Sequence, residues 1–273
     1  MRKLMFQRTS ALAACLSLVA CIPTELNENQ RAYLRDLALD VTAQSQHLAA
    51  EVMLLGHLVE GVEFEAGATP AAHAARLMAR IEQLPGCSVG SVFYFEGAED
   101  IRLTDAACTV GARSFVFDAQ LQLANGEKGP EVTLSSVQLE GRDSSYLGRT
   151  VTLTSLSDAV PTLTVEPGVG SKALSFAGPL AFDPATLQVT LTGKGQWFAG
   201  FAEEPVALQL QGVAFRPLAC LAHAGTMQVG PLDVRITSED TKPVTPVVSW
   251  SDAAQVDLQI DGETVRASVP GAD

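Results

Sequence analysis

The chain has 273 residues, 47% apolar and 18% charged, with 31 acidic against 18 basic side chains and a formal net charge of −13. That balance argues against nucleic-acid binding, which draws its affinity from Lys and Arg on phosphates. The length fits one large domain or two smaller ones, with ample material for a core.

Arg2, Lys3 and Arg8 make the N-terminus positive, and Ser10 to Ala20 is uncharged and mostly apolar. A run of about eleven such residues matches the hydrophobic region of a signal peptide and falls short of the roughly 20 that span a bilayer. It ends on Leu18-Val19-Ala20-Cys21. These residues resemble a bacterial lipoprotein signal peptide with its lipobox: a Leu, two small or medium residues, then Cys. The resemblance implies removal of residues 1–20 and acylation of Cys21 on its sulfur and on its new amine. The membrane partner is then reached through those acyl chains, each buried CH₂ contributing about 0.8 kcal/mol. An ordinary secretory signal, with Cys21 buried or paired, is the competing account. Ile22 follows the cysteine where Asp would retain such a protein in the inner membrane, so the same resemblance implies the outer membrane of a Gram-negative bacterium, on its periplasmic or its surface face. Beyond residue 21 the chain is similar to Gram-negative envelope lipoproteins in composition only.

Loss of the three basic residues of the leader takes the formal charge from −13 to −16. Anionic headgroups repel such a chain, so lipid rather than a basic patch must hold it to a membrane. Solubility explains the acidity most simply; cationic partners or divalent ions are the alternatives.

Residues 22–27 read as a short tether, at most about 20 Å when extended. Asn27 with Gln30 three on forms a capping box. Leu34, Ala38, Val41, Ser45, Leu48, Val52, Leu55 and Val59 then recur at alternating spacings of four and three. This predicts a helix with one apolar face, widened by Leu37, Leu39 and Leu54, ending at Gly61. At 1.5 Å per residue it is roughly 45 to 50 Å long. Thr69 as N-cap and Pro70 at the first helical position start a second helix, with Ala74, Leu77, Met78 and Ile81 on one face and Leu84-Pro85-Gly86 as its stop. Residues 28–86 are therefore expected as a helical hairpin packed on a sheet.

After Gly86 the period becomes 2. Phe115, Phe117, Ala119, Leu121 and Leu123 alternate with polar or outward positions; so do Leu187, Val189 and Leu191, and Val206, Leu208 and Leu210. One face is expected in a core and the other in water. Asp261-Gly262 supplies the positive φ angles of a type I′ hairpin. It would set Leu258 opposite Val265, Val256 opposite Ala267, and Asp257 opposite Arg266 as an outer ion pair. Asn125-Gly126 marks another turn, expected inside a longer loop because Gly129-Pro130 follows. Val-Thr-Leu begins at 132, 151 and 189, either a repeated hairpin or ordinary strand vocabulary. Some ten to fourteen short strands, with no helical pattern between them, predict a mainly β fold with an N-terminal helical pair: an antiparallel domain over 87–273 built as a sandwich, a barrel or an elongated meander.

Three cysteines follow Cys21, and export would permit one bridge. Cys87 and Cys108 flank one strand-rich stretch and are the first choice; a Cys87–Cys220 pairing stays open. Gly86-Cys87-Ser88-Val89-Gly90 matches the Gly-x-Ser-x-Gly of a hydrolase elbow, but that chemistry needs a strand-to-helix turn on a parallel sheet, and here a helix precedes and a strand follows. Cys220 and His223 have the spacing of a zinc half-site; His47, His57 and His73 all lie in the helical part. No metal or cofactor is assigned, and no pair of carboxylates stands out as acid and base. Thr133, Ser135, Thr152, Thr154, Gln188, Thr190, Thr192, Gln209 and Gln211 form hydroxyl and amide ladders that suit sugars or plain solvent. Trp197, Phe198 and Phe201 are either an exposed aromatic cluster or, for Trp197 and Phe201, buried together.

Three functions remain. The first is a lipid-anchored envelope protein with a non-enzymatic structural, adhesive or binding role, its partners drawn from other envelope proteins, glycan or lipid. The second is a carrier of lipid or another apolar ligand in a β groove or barrel. The remote third is a serine hydrolase using Ser88.

Overall fold

The computed structural model describes residues 25–110, 113–139, 149–158, 160–167, 174–197, 205–215, 222–235, 240–250 and 255–268. The first helix, α1, spans Glu28–Val59. The Asn27 side chain accepts from the Gln30 backbone N–H at 3.0 Å, and the Gln30 side chain accepts from the Asn27 N–H at 2.8 Å, so the capping box closes both ways. The second helix, α2, spans Pro70–Ile81 and starts on Thr69, whose hydroxyl accepts from the Ala72 N–H.

Sixteen strands follow. They are β1 (Cys87–Ser88), β2 (Ser91–Phe95), β3 (Asp100–Val110), β4 (Arg113–Gly126), β5 (Gly129–Leu139), β6 (Arg149–Thr154), β7 (Thr162–Pro167), β8 (Ser175–Asp183), β9 (Gln188–Trp197), β10 (Val206–Phe215), β11 (Ala222–Val229), β12 (Leu232–Arg235), β13 (Thr241–Val244), β14 (Val247–Trp250), β15 (Gln255–Ile260) and β16 (Glu263–Ser268). Fourteen of them form one antiparallel sheet in the order β1-β3-β4-β5-β6-β7-β8-β9-β10-β11-β14-β15-β16, with β2 sharing the outer edge of β3 with β1. The excluded pair, β12 and β13, makes a separate ribbon. The sheet is large and open: β16 ends it on one side, and no ladder joins β16 to β1 or β2 among the described residues.

The sheet nevertheless curls. A Cβ on Gly56 of α1 would sit 3.0 Å from the Phe182 ring on β8. The next residue, His57, puts Nε2 3.6 Å from Cys87 Sγ on β1. Along the sheet β1 and β8 are six spacings apart, about 29 Å at 4.8 Å each, yet both touch the end of one helix about 10 to 12 Å wide. The strands must therefore wrap round α1. Bulges supply part of the bend, since each adds a residue to one strand and increases local twist. Asp105 takes φ 53° where β3 slips against β4. Ser135 is the extra residue of β5 against β4. Gly212 takes φ 59° where β10 slips against both β9 and β11.

The wrap alters what α1 buries. The heptad-like spacing predicts a single stripe, but every residue from Leu48 to Leu58 is buried. A segment that is apolar on all sides belongs inside a core, and Leu-Ala-Ala-Glu-Val-Met-Leu-Leu-Gly-His-Leu is such a segment apart from Glu51 and His57. The inward faces of the strands close round it: Leu121, Leu134, Leu153, Leu163, Leu191, Met227 and Leu258 all belong to the same apolar cluster. Ser45 marks the contact with β11, its hydroxyl 3.8 Å from Met227 Sδ.

The last hairpin has the register its turn predicts, with Val256↔Ala267, Asp257↔Arg266 and Leu258↔Val265 paired. Asp261 and Gly262 take φ 52° and 84°. Arg266 Nε lies 2.8 Å from Asp257 Oδ1. Val265 is 42% exposed all the same, because β16 is the sheet edge. At residues 125–130 the loop is shorter than the sequence suggests. Gly126 pairs with Gly129, leaving Glu127 and Lys128 as a two-residue turn, and the positive φ falls on Gly129. The first two Val-Thr-Leu segments pair with each other, Val132↔Leu153 and Leu134↔Val151, both Val and Leu pointing inward with Thr133 and Thr152 hydrogen-bonded on the other face.

Candidate functional site

Cys21, the lipidation residue, lies outside the described residues, as do Cys220, Phe198 and Phe201, and the side chains of His47 and His223. Trp197 is described and buried at 4% exposure at the end of β9.

Cys87 and Cys108 stand directly opposite each other on β1 and β3 and their sulfurs are bonded. Their neighbour His57 is a residue the sequence reading leaves without a role. It comes from the last turn of α1, 30 residues before Cys87. The packing of the end of α1 on β1 brings the two together, so no spacing rule could have found the cluster. The His57 imidazole and the two sulfurs place one donor atom each within 4.8 Å of one another. Burial, and then the positive charge of Arg80 on α2, hold the His57 pKa below the ordinary histidine value, so the ring is neutral near pH 7. The backbone under this cluster is pinned: the Thr109 N–H donates to the Gly86 carbonyl at 2.7 Å, and the Cys87 N–H to the Leu84 carbonyl at 3.1 Å. Gly86 is required there, since its φ is 72° and a Cβ would sit 2.4 Å from the Thr109 carbonyl oxygen.

Ser88 follows Cys87 in the same two-residue strand and is exposed. Neighbouring strand residues point to opposite faces, so Ser88 is turned away from His57. The next strand, β2, begins at Ser91 with no helix between. The strand-to-helix elbow that would activate Ser88 is thus not formed at this point. His73 on α2 is also buried, with its ring centroid 5.4 Å from that of Phe64, and neither ring nitrogen has a hydrogen-bond partner among the described residues.

The second feature lies on the outer face of the sheet. Thr164, Ala177, Lys194, Gln209 and Gln228 are cross-strand partners in sequence from β7 to β11, forming one row. Ser175, Gln196 and Ala207 form a parallel row two residues along, flanked by Glu166 and by Gly230, whose N–H donates to the Ala207 carbonyl. Together they line an open depression of about 630 Å³. Its floor is low because Ala177, Ala207 and Gly230 carry almost no side chain, while three glutamines, Lys194 and Glu166 stand round it. The depression offers amide and hydroxyl donors and acceptors, one ammonium and one carboxylate. That set can hold a hydroxylated ligand by hydrogen bonds. Of the polar residues that the sequence singles out on outward strand faces, only Gln209 lines it. The other lining residues carry no motif, and cross-strand register alone assembles them.

Comparison with protein-family models, with curated proteins and with solved structures finds no match for this chain.

Proposed function

We propose that this chain is a lipid-anchored binding protein of the cell envelope that holds a glycan in the depression on its outer face, without catalysing a reaction. The observation that carries the reading is the lining of that 630 Å³ depression by Thr164, Lys194, Gln196, Gln209 and Gln228 round an alanine and glycine floor. Its volume lies within the range of about 300 to 1,000 Å³ usual for small-ligand sites. Neutral amides and hydroxyls match sugar hydroxyls, and Lys194 adds attraction for an acidic or phosphorylated sugar. A non-enzymatic role is favoured because the strand-to-helix elbow that a nucleophilic Ser88 needs is replaced by two consecutive strands, β1 and β2. The carrier alternative needs room on the apolar concave face, and there α1 packs Leu48, Leu54, Leu55 and Leu58 into the space.

The anchor rests on Leu18-Val19-Ala20-Cys21. The start of α1 adds geometry to it. The Leu26 N–H bonds Asp261, Arg31 pairs with Glu263, and the Gln30 side chain donates to the Arg235 carbonyl at 2.6 Å. With Cys21 only five residues before Leu26, the β15–β16 turn and the β12–β13 ribbon would then face the membrane at about 17 Å or less.

The test is a glycan array probed with the full chain in detergent, beside Ala177→Trp. Ala177 is exposed, so the indole fills the depression without entering the core. Binding by the parent and its loss in Ala177→Trp at unchanged Tm is the expected result. No binding to any glycan, or equal binding by both proteins, removes the reading; lipid found in the purified protein would move the choice to the carrier. For the anchor, Cys21→Ala should shift the protein from the membrane to the soluble fraction, and retention at the parent level would refute lipidation.

A further inference from the structure

We propose that His57, Cys87 and Cys108 form a redox-switched metal site, closed while the two sulfurs are bonded and able to bind Zn²⁺ once a dithiol reductant has opened the bond.

The geometry comes first. In a tetrahedral zinc site with Zn–S of about 2.3 Å and Zn–N of about 2.0 to 2.1 Å, the edge between a sulfur and a nitrogen is about 3.6 Å. His57 Nε2 lies 3.6 Å from Cys87 Sγ, already at that separation. The sulfur of Cys108 is within 4.8 Å of both other donors. On reduction the sulfur–sulfur edge must lengthen from a bond to about 3.8 Å, and the Cys108–His57 edge must settle at about 3.6 Å, the separations of a tetrahedral site. β1 and β3 are held in register beside the bond, and the Thr109-to-Gly86 hydrogen bond fixes the chain next to it. Three protein ligands leave the fourth position for water, an open site.

The chemistry balances. The dithiol passes two electrons and two protons to the Cys87–Cys108 bond, giving two thiols and a disulfide in the reductant. Zn²⁺ then displaces the two thiol protons into solvent, and the His57 Nε2 lone pair completes the third bond. Two thiolates and Zn²⁺ sum to zero, so the loaded site carries no net charge into an apolar surrounding, where an unpaired charge would be costly. Cys108 and His57 are buried and Cys87 is half-buried, so the site is enclosed but is reached from the Cys87 side.

The experiment uses the full chain carrying Cys15→Ser, Cys21→Ser and Cys220→Ser, so that no other cysteine competes, with Co²⁺ as a visible probe of thiolate ligation. As purified, it should take up no cobalt. After anaerobic treatment with a dithiol and removal of the reagent, it should bind one equivalent with a thiolate-to-cobalt charge-transfer band, and Zn²⁺ should displace the cobalt. His57→Gln, which leaves both cysteines and their bond, should weaken uptake at least tenfold, since loss even of outer-shell partners commonly costs about 10- to 100-fold. Cys108→Ser should abolish the band. Cobalt binding before reduction, failure of the reduced chain to bind, folded or not, or equal binding by His57→Gln would each overturn the proposal.

Discussion

From Glu28 to Asp40, α1 leaves Tyr33, Arg35, Asp36 and Asp40 in water and is tied to its neighbours at Gln30 and Arg31. From Leu48 to Leu58 no residue is exposed and the contacts come from β8 and β1 alike. The same helix thus lies on the sheet at one end and inside it at the other. The difference shows what shapes this fold. A stripe of apolar residues needs only one surface, but an all-apolar turn must be enclosed, and an open sheet can enclose it only by curling.

Truncation inside the enclosed half tests this most severely. Leu54→Ala should cost about 2 to 5 kcal/mol, because Leu54 is fully buried and the rigid surround cannot collapse on the gap. Denaturant unfolding measures it, and a loss under about 1 kcal/mol would mean that the sheet does not enclose this half of the helix.

Acidification should act on the same end. His57 and His73 both have pKa values held below the ordinary value of 6.5, chiefly by burial, with Arg80 adding to the first and Arg76 to the second, partly offset by Glu65. The unfolded chain therefore binds more protons than the folded one as pH falls below about 6.5. Their contribution is fully present above that pH and is lost as pH falls from 6.5 through the folded values. Below the ordinary carboxylate range a second loss follows, since Arg266 and Lys242 hold Asp257 and Asp261 below their usual pKa values. In His57→Gln the upper limb of the pH–stability curve should flatten; an unchanged slope would show that His57 is not held neutral.

A smaller effect of opposite sign is expected at His73. Its buried nitrogens lack hydrogen-bond partners among the described residues, so His73→Phe should raise stability by about 1 kcal/mol, near the low end of the cost of a buried unsatisfied group. A fall in Tm would point to a polar contact at the ring. The smallest effect belongs to the exposed half. Arg31→Ala breaks the Arg31–Glu263 pair, which is solvent-accessible on both sides, and should cost less than about 1 kcal/mol. A cost near that of Leu54→Ala would erase the contrast between the two halves.

Much of the local structure was legible. Asn27 with Gln30, and Thr69 with Pro70, start the helices where the residues say, because a cap is satisfied within one turn of chain. Asp261-Gly262 sets the whole register of β15 and β16, because a two-residue turn leaves one way to pair the strands. Gln46, Glu51 and His57 lie off the apolar stripe and are buried all the same. Their polar side chains suggest a wet face, and only the enclosing strands show that the wet face does not exist there.

The sites lie beyond local reading for the same reason. Periodicity and turn chemistry act over a few residues, so the sequence by itself determined the two helices, the change of period after Gly86, the antiparallel alternation and the final hairpin. Whether the sheet stays flat or curls depends on bulges at Asp105, Ser135 and Gly212 acting together across many strands. That sum exists only in the assembled molecule. It is what lets one helix end meet both β8 and β1, with His57 beside Cys87 across 30 positions of chain, while the register between strands distant in sequence aligned Thr164, Lys194, Gln209 and Gln228 into one row.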